Sequence, residues 1–270
     1  MTCLKVLLRL QTKFSSKQLG KLNLPSFKVG QGVFVLSEDE VNQLSLNKVE
    51  KGSLVKYLDP NEVNKWKVAP SKSKWLIYSD GELKNKISKD PNFSSLKKHL
   101  DLVQPFITSS NKPYGLHRPR DIKYFDRPKI IFKGMFVDPE FAIDEENYFV
   151  GMSFISIIQR DEAYSLEYLV GILNSKYAFN WFNIYGKKRG AGVDIGVNKL
   201  RTFPLPNSYS KMIELKVREI MRSSLKDKTT LENELNVLVY KNYELTYQEI
   251  VKIDKSFTVS ESEYNALILD

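Results

Sequence analysis

The chain has 270 residues, 42% of them hydrophobic and 12% aromatic, enough to bury the core of one large domain or of a large domain with an appendage. Charged residues make up 27%, mixed in sign with a formal sum of +9, which excludes a disordered acidic or basic tail. One cysteine, Cys3, excludes an internal disulfide and a multi-cysteine zinc site, and two histidines, His99 and His117, argue against a histidine-rich metal centre.

Residues 1–27 read as a leader or connector. The apolar run Leu4 to Leu10 is interrupted by Lys5 and Arg9, is too short to span a bilayer and has no small-residue cleavage site after it, so the chain reads as soluble and cytoplasmic, with no membrane partner. Val29 to Leu36 is glycine-punctuated and β-favouring, and Ser37 with Glu40 forms a capping box that opens a short helix over 38–46. Trp75 to Tyr78 predicts a buried strand. Phe93, Leu96, Leu100 and Val103 have helical spacing just after Pro91. Lys129 to Phe132 and Met152 to Ile158 are further strands. Ser165 caps a helix striped by Leu166, Leu169, Val170 and Leu173, continued by Tyr177, Phe179, Trp181 and Phe182, with a break suggested by Gly171 and by Asn174–Ser175. A basic glycine-rich loop, Gly186 to Gly192, follows, and Phe203 to Pro206 ends the unit. Beyond it, two helices are expected near 210–225 and 230–243. Thr246 with Glu249 caps a last short helix through Ile253. The expectation is an α+β body with a mixed sheet over 28–206, a small helical appendage over 207–254 and a flexible tail over 255–270.

Catalytic motifs are few and incomplete. Asp90-Pro91-Asn92-Phe93 and Asp138-Pro139-Glu140-Phe141 resemble the Asp/Asn-Pro-Pro-aromatic signature of amino-methyltransferases, in which the first side chain and a carbonyl accept from the target amino group while the aromatic stacks on the flipped base. Both lack the second proline and any glycine-rich cofactor fingerprint, because Gly30-Gln31-Gly32 is isolated, so both read as turns. Glu82-Leu83-Lys84 and Glu214-Leu215-Lys216 have the form of a metal-dependent nuclease half-site, which needs a partnering acid on an adjacent strand to bind magnesium. Glu214 falls in a predicted helix and Glu82 in a polar turn, so both read as surface charges. His117 lies between basic residues with no carboxylate to orient it as a base.

The charge excess is confined to two stretches. Asn111 to Lys133 carries seven basic residues (Lys112, Arg118, Arg120, Lys123, Arg127, Lys129 and Lys133) against Asp121 and Asp126. Lys187 to Arg201 carries five (Lys187, Lys188, Arg189, Lys199 and Arg201) against Asp194. These sum to +5 and +4, so the rest of the chain is neutral. Such a distribution fits a polyanion held on one face. Arginines there can read guanine edges or grip phosphates, Tyr114, Tyr124 and Phe125 offer stacking faces or core anchors, and the glycine loop can approach phosphates closely. For Tyr124, Phe125, Phe179 and Trp181 the core reading is preferred.

The order of segments then carries a resemblance. Gly32 to Glu40, Val55 to Leu58, Lys74 to Asp80, Pro91 to Phe93, Leu96 to Leu100, Leu116 to Asp121, Pro128 to Ile131, Tyr168 to Lys176 and Leu200 to Pro206 occur in sequence, followed by Leu235 to Tyr240 and Tyr243 to Ile250. Over 28–253 the chain resembles the TaqI-like C-terminal specificity domain, the target-recognition domain of type IIG restriction–modification enzymes and N6-adenine DNA methyltransferases. The resemblance implies that double-stranded DNA is the ligand and a methyltransferase domain or subunit the partner. S-adenosylmethionine and magnesium would be confined to the separate catalytic domains, with no catalytic residue, cofactor or metal in this chain. The expected DNA-binding residues are Lys112, His117, Arg118, Arg120, Lys123, Arg127, Lys133, Lys187, Lys188, Arg189, Lys199 and Arg201. Two alternatives are a small metal-dependent nuclease built on Glu82 or Glu214, and a subunit whose basic face docks an acidic protein or RNA.

Overall fold

The computed structural model describes residues 2–4, 14–22, 28–68, 70–107, 111–117, 119–151, 153–159 and 163–270. Arg118, most of the apolar run 4–10 and Met152 lie outside the described residues. The first elements are strand β1 (Thr2–Leu4), helix α1 (Ser16–Leu22) and strand β2 (Val35–Ser37). Helix α2 (Glu38–Gln43) opens with the capping box of Ser37 and Glu40. A second box, Asn47 with Glu50, opens α3 (Lys48–Gly52). Strands β3 (Leu54–Leu58), β4 (Trp66–Lys67) and β5 (Lys74–Ile77) lead to α4 (Gly81–Lys89) and α5 (Ser94–Val103). No side chain of its own caps α5. Buried Glu50 does so from α3, its Oε1 accepting from Ser95 N at 2.7 Å and Leu96 N at 2.8 Å.

The central part of the chain is mostly strand: β6 (Lys129–Lys133), β7 (Met135–Phe136), β8 (Ala142–Asp144), β9 (Phe149–Val150) and β10 (Phe154–Ile158). Ser165 then caps α6 (Leu166–Leu173), and the break at Asn174–Ser175 lets Ser175 cap α7 (Lys176–Tyr185). Strands β11 (Lys187–Arg189) and β12 (Gly192–Asp194) and a single turn, α8 (Val197–Leu200), come next. The chain ends in α9 (Lys211–Arg222), α10 (Leu225–Asn242), α11 (Tyr247–Ile253), capped by Thr246 and Glu249, and α12 (Glu261–Ala266).

The strands form three sheets, and the fold is α+β. One has five strands in the order β1-β10-β6-β8-β4, one four in the order β2-β5-β3-β9, and one three in the order β11-β12-β7. The β3–β9 and β4–β8 pairs are parallel and the others antiparallel, so the two larger sheets are mixed.

The five-stranded sheet divides the interior. In β6, Ile131 joins a core with Phe34, Leu58, Leu76, Leu100 and Phe125, while its neighbours Ile130 and Phe132 join a second core with α6, α9 and α10. A strand buried on both faces needs an uninterrupted apolar run, and Lys129-Ile130-Ile131-Phe132 is one except for its first residue. The second core includes Ile213, Val217, Ile220, Leu235 and Val239, all beyond Pro206. Trp66 Nε1 in β4 donates to Glu232 Oε1 in α10 at 2.7 Å. The expected boundary at 206/207 is therefore crossed by a shared core, and the helices after it are not an appendage in packing terms. The tail expected to be flexible over 255–270 instead carries α12, whose Tyr264 is buried against Tyr240 and Ile250. The Asp270 carboxylate accepts from Ser210 Oγ at 2.7 Å, at the start of α9. Among the described residues, no helix is long and apolar enough to cross a membrane.

Candidate nucleic-acid interface

The first basic segment is held by its backbone and its apolar side chains, which leaves its cations outside. Leu116 N donates to Ser79 O at the end of β5 (2.9 Å), and Asn111 Nδ2 donates to Leu116 O (2.7 Å). The Tyr78 hydroxyl donates to Arg120 O and accepts from Arg120 N at 2.7 Å; burial pushes this phenol up to about 12, so it stays protonated. Phe125 is stacked on Phe149 with centroids 4.2 Å apart, and Tyr114 is buried with its hydroxyl donating to Asp101 at 2.8 Å. These aromatics are core anchors and offer no open stacking face, while Tyr124 is half-buried beneath Lys123.

Lys112, Arg120, Lys123 and Arg127 are exposed and His117 is half-buried. Lys123 pairs with Asp121 at 2.6 Å. Lys129 does not belong with them: it is fully buried, its Nζ 2.5 Å from the equally buried Asp144 and 3.1 Å from Phe125 O. Burial lowers the Lys129 pKa, with Asp144 opposing that effect. The charge offered to solvent by this segment is thus smaller than its composition suggests.

The second segment is a hairpin, where a loop was expected. Lys187–Arg189 pairs antiparallel with Gly192–Asp194, which pairs in turn with β7. Only two residues join the strands, and Gly190 takes the left-handed conformation (φ 57°) at the first central position, the glycine-first pattern of a II′ turn. Gly186 is needed where α7 runs into the hairpin, since a Cβ there would lie 2.2 Å from Val193 Cγ1 and 2.5 Å from Phe182 O. Lys187, Lys188, Arg189, Lys199 and Arg201 are all exposed. Lys188 Nζ donates to Asn183 Oδ1 at 2.8 Å, Arg189 lies 3.7 Å from Asp194, and Lys199 sits over the Tyr185 ring.

Strand β6 lies between the two segments in the chain. Residues 111–128 feed into its first residue, while the hairpin is bonded just beyond its last, through Ile195 N to Gly134 O at 2.8 Å. Lys133 stands at that second end, 3.6 Å from Glu140. Four steps of about 3.3 Å separate the ends of the strand, roughly 13 Å. Lys133, Lys187, Lys188 and Arg189 thus stand on or beside the small sheet at the far end of β6, while Arg120 of the first segment is held beside the end of β5 in the four-stranded sheet. Exposed apolar side chains around the hairpin, Met135, Val137, Ile184 and Tyr185, were not singled out from the sequence. The one signal available was Met135-Phe136-Val137, three apolar residues where a surface strand alternates.

The catalytic look-alikes serve structure. Asp90 caps Asn92 N in a short 3-10 turn, and Phe141 is buried with its backbone bonded by Asn174. Glu82 lies in the first turn of α4, exposed and paired with Lys86 at 2.6 Å, and that hydrogen bond lowers its pKa. Glu214 is not the surface charge expected: it is buried in α9, where Lys211, Tyr209 and Arg218 bind its carboxylate. Among the described residues, no three His, Cys, Asp or Glu side chains group as a metal site.

Comparison with known proteins places this arrangement. The solved structure of the type IIL restriction–modification enzyme MmeI in complex with DNA shares the fold, with a TM-score of 0.61 at 15% identity over 86% of this chain. That alignment takes in 33% of the enzyme, so the chain spans about one third of its length. The family model described as the TaqI-like C-terminal specificity domain matches residues 55–205, from β3 through the first basic segment and the hairpin. Because that match extends over more than half of the 270 residues, the chain belongs to the TaqI-like C-terminal specificity domain family.

Proposed function

We propose that this chain is the DNA target-recognition module of a restriction–modification system, reading double-stranded DNA for a methyltransferase domain or subunit, with S-adenosylmethionine and magnesium chemistry confined to separate catalytic domains. The observation that carries the reading is the pair of exposed cation sets, each displayed on hydrogen-bonded backbone, one beside the end of β5 and the other on the hairpin β11-β12, in a specificity-domain fold. Lys112, Arg120, Arg127, Lys187 and Lys199 are exposed and have no acid paired to them among the described residues, so they are the ones free to neutralise phosphate. Lys123, Lys133, Lys188 and Arg189 have intramolecular partners that they would exchange or share. Arg118, His117 and Arg201 complete the proposed set.

A fluorescence-anisotropy titration with a randomised duplex pool at several salt concentrations, with sequencing of the bound fraction, tests this. About six phosphate contacts give a slope of log affinity on log salt of roughly −5, and specific reading enriches a short motif. A slope near zero would overturn the proposal. Competition by RNA or heparin stronger than by duplex at matched salt would transfer the basic face to a different partner.

A further inference from the structure

The small sheet β11-β12-β7 has an inner and an outer face, and the outer one breaks the usual pattern. Phe136 and its partner Val193 are buried, with Phe136 5.6 Å from Phe182 of α7, so they define the inner face. Side chains alternate along a strand, so Met135 lies on the opposite side, and Val137 follows directly after the strand. They are 60% and 62% exposed. Met135 pairs with Asp194, which pairs with Lys187, and Arg189 lies two residues further along the same side. The outer face thus carries exposed Met135 with Lys187, Arg189 and Asp194, and exposed Val137 and Asp138 follow at the end of its strand. The solvent face of an antiparallel sheet is ordinarily polar. Two aliphatic side chains among cations suit a partner that is anionic yet presents apolar groups.

We propose that this sheet enters the DNA major groove, with Met135 and Val137 against thymine methyl groups and Lys187 and Arg189 on the flanking phosphates. Thymine methyls are the apolar groups that the major groove displays. A groove of about 12 Å admits a two-stranded ribbon, which β12 and β7 supply, leaving Lys187 and Arg189 of β11 at its rim. The inference rests on the DNA-recognition reading above and adds the element and side chains that do the reading.

The test re-amplifies the bound fraction of the randomised pool with dTTP or with dUTP, which removes only the thymine methyl, and titrates both. The expected result is tighter binding of the thymine pool, by about fourfold per contacted methyl. The double variant Met135→Ser, Val137→Ser should lose that preference while keeping the salt slope; both residues are exposed, so the fold tolerates the change. Equal, salt-sensitive binding of the two pools by the parent protein overturns this inference alone, as does a preference that survives in the double variant. Absence of salt-sensitive binding to either pool overturns the reading beneath it as well.

Discussion

Glu214 keeps its charge inside the protein, with 3% of its side chain exposed. Burial alone pushes a carboxyl up, but Lys211, Tyr209, Ser165 and Arg218 together outweigh it and hold the group at about 2. An unfolded glutamate titrates near ~4.3, so the unfolded chain takes up this proton first as pH falls. The stabilisation is present above that value and is lost progressively down to about 2. Glu214→Gln is expected to lower stability at pH 7 by about 1–3 kcal/mol, because two cations then face a neutral amide. Urea melts of parent and variant should converge between pH 4.5 and 2; a gap unchanged at pH 2.5 would show that the charge is not what the site uses. Lys129 and Asp144 pose the same problem without solvent. Asp144→Ala leaves a buried ammonium unpaired and should cost about 3–5 kcal/mol, while Lys129→Met with Asp144→Leu recovers much of it. Neither burial was legible in the sequence. Periodicity places Glu214 on a helix without naming the face, and Lys129 counted as one more cation although it opens a strand whose next three residues are all core.

At the level of elements, what was legible had a local cause. The boxes Ser37–Glu40 and Thr246–Glu249 close within a single turn, so sequence spacing alone reveals them. The turn at Asn174–Ser175 is likewise local. The hairpin is different: Lys187-Lys188-Arg189 has weak strand preference and becomes a strand because β7 and Gly186 bring partners to it. Gly171 shows the limit from the other side. Read as a helix breaker, it lies inside α6, where its missing side chain lets α9 approach: a Cβ would be 2.8 Å from Val217 Cγ2 and 2.9 Å from Ile213 Cγ2. Gly171→Ala would gain up to about 1 kcal/mol of helix propensity on its own. Overpacking against two β-branched side chains costs about 1–3 kcal/mol, so a net loss is expected. Denaturant midpoints check it; a gain in stability would mean that α9 moves away freely.

At the level of the whole molecule, the five-stranded sheet is a shared wall, and the two basic sets hang from different places: the first from the end of β5, the second from the small sheet bonded just beyond β6. Composition located the charge but could not show that its two halves are held by different sheets, because those attachments are long-range. The consequence is quantitative. If one duplex meets both sets, each contributes independently to counterion release. Lys112→Ala with Arg127→Ala should then lower the magnitude of the salt slope by about 2, and Lys187→Ala with Lys199→Ala should do the same. Combining all four should lower it by about 4, since the pairs share no partner. All four side chains are exposed, so thermal melting should show the variants as folded as the parent. If only the hairpin end touches DNA, the Lys112/Arg127 pair will leave the slope unchanged while the other pair reduces it. That outcome would confine the interface to the hairpin and remove the first basic segment from the recognition surface.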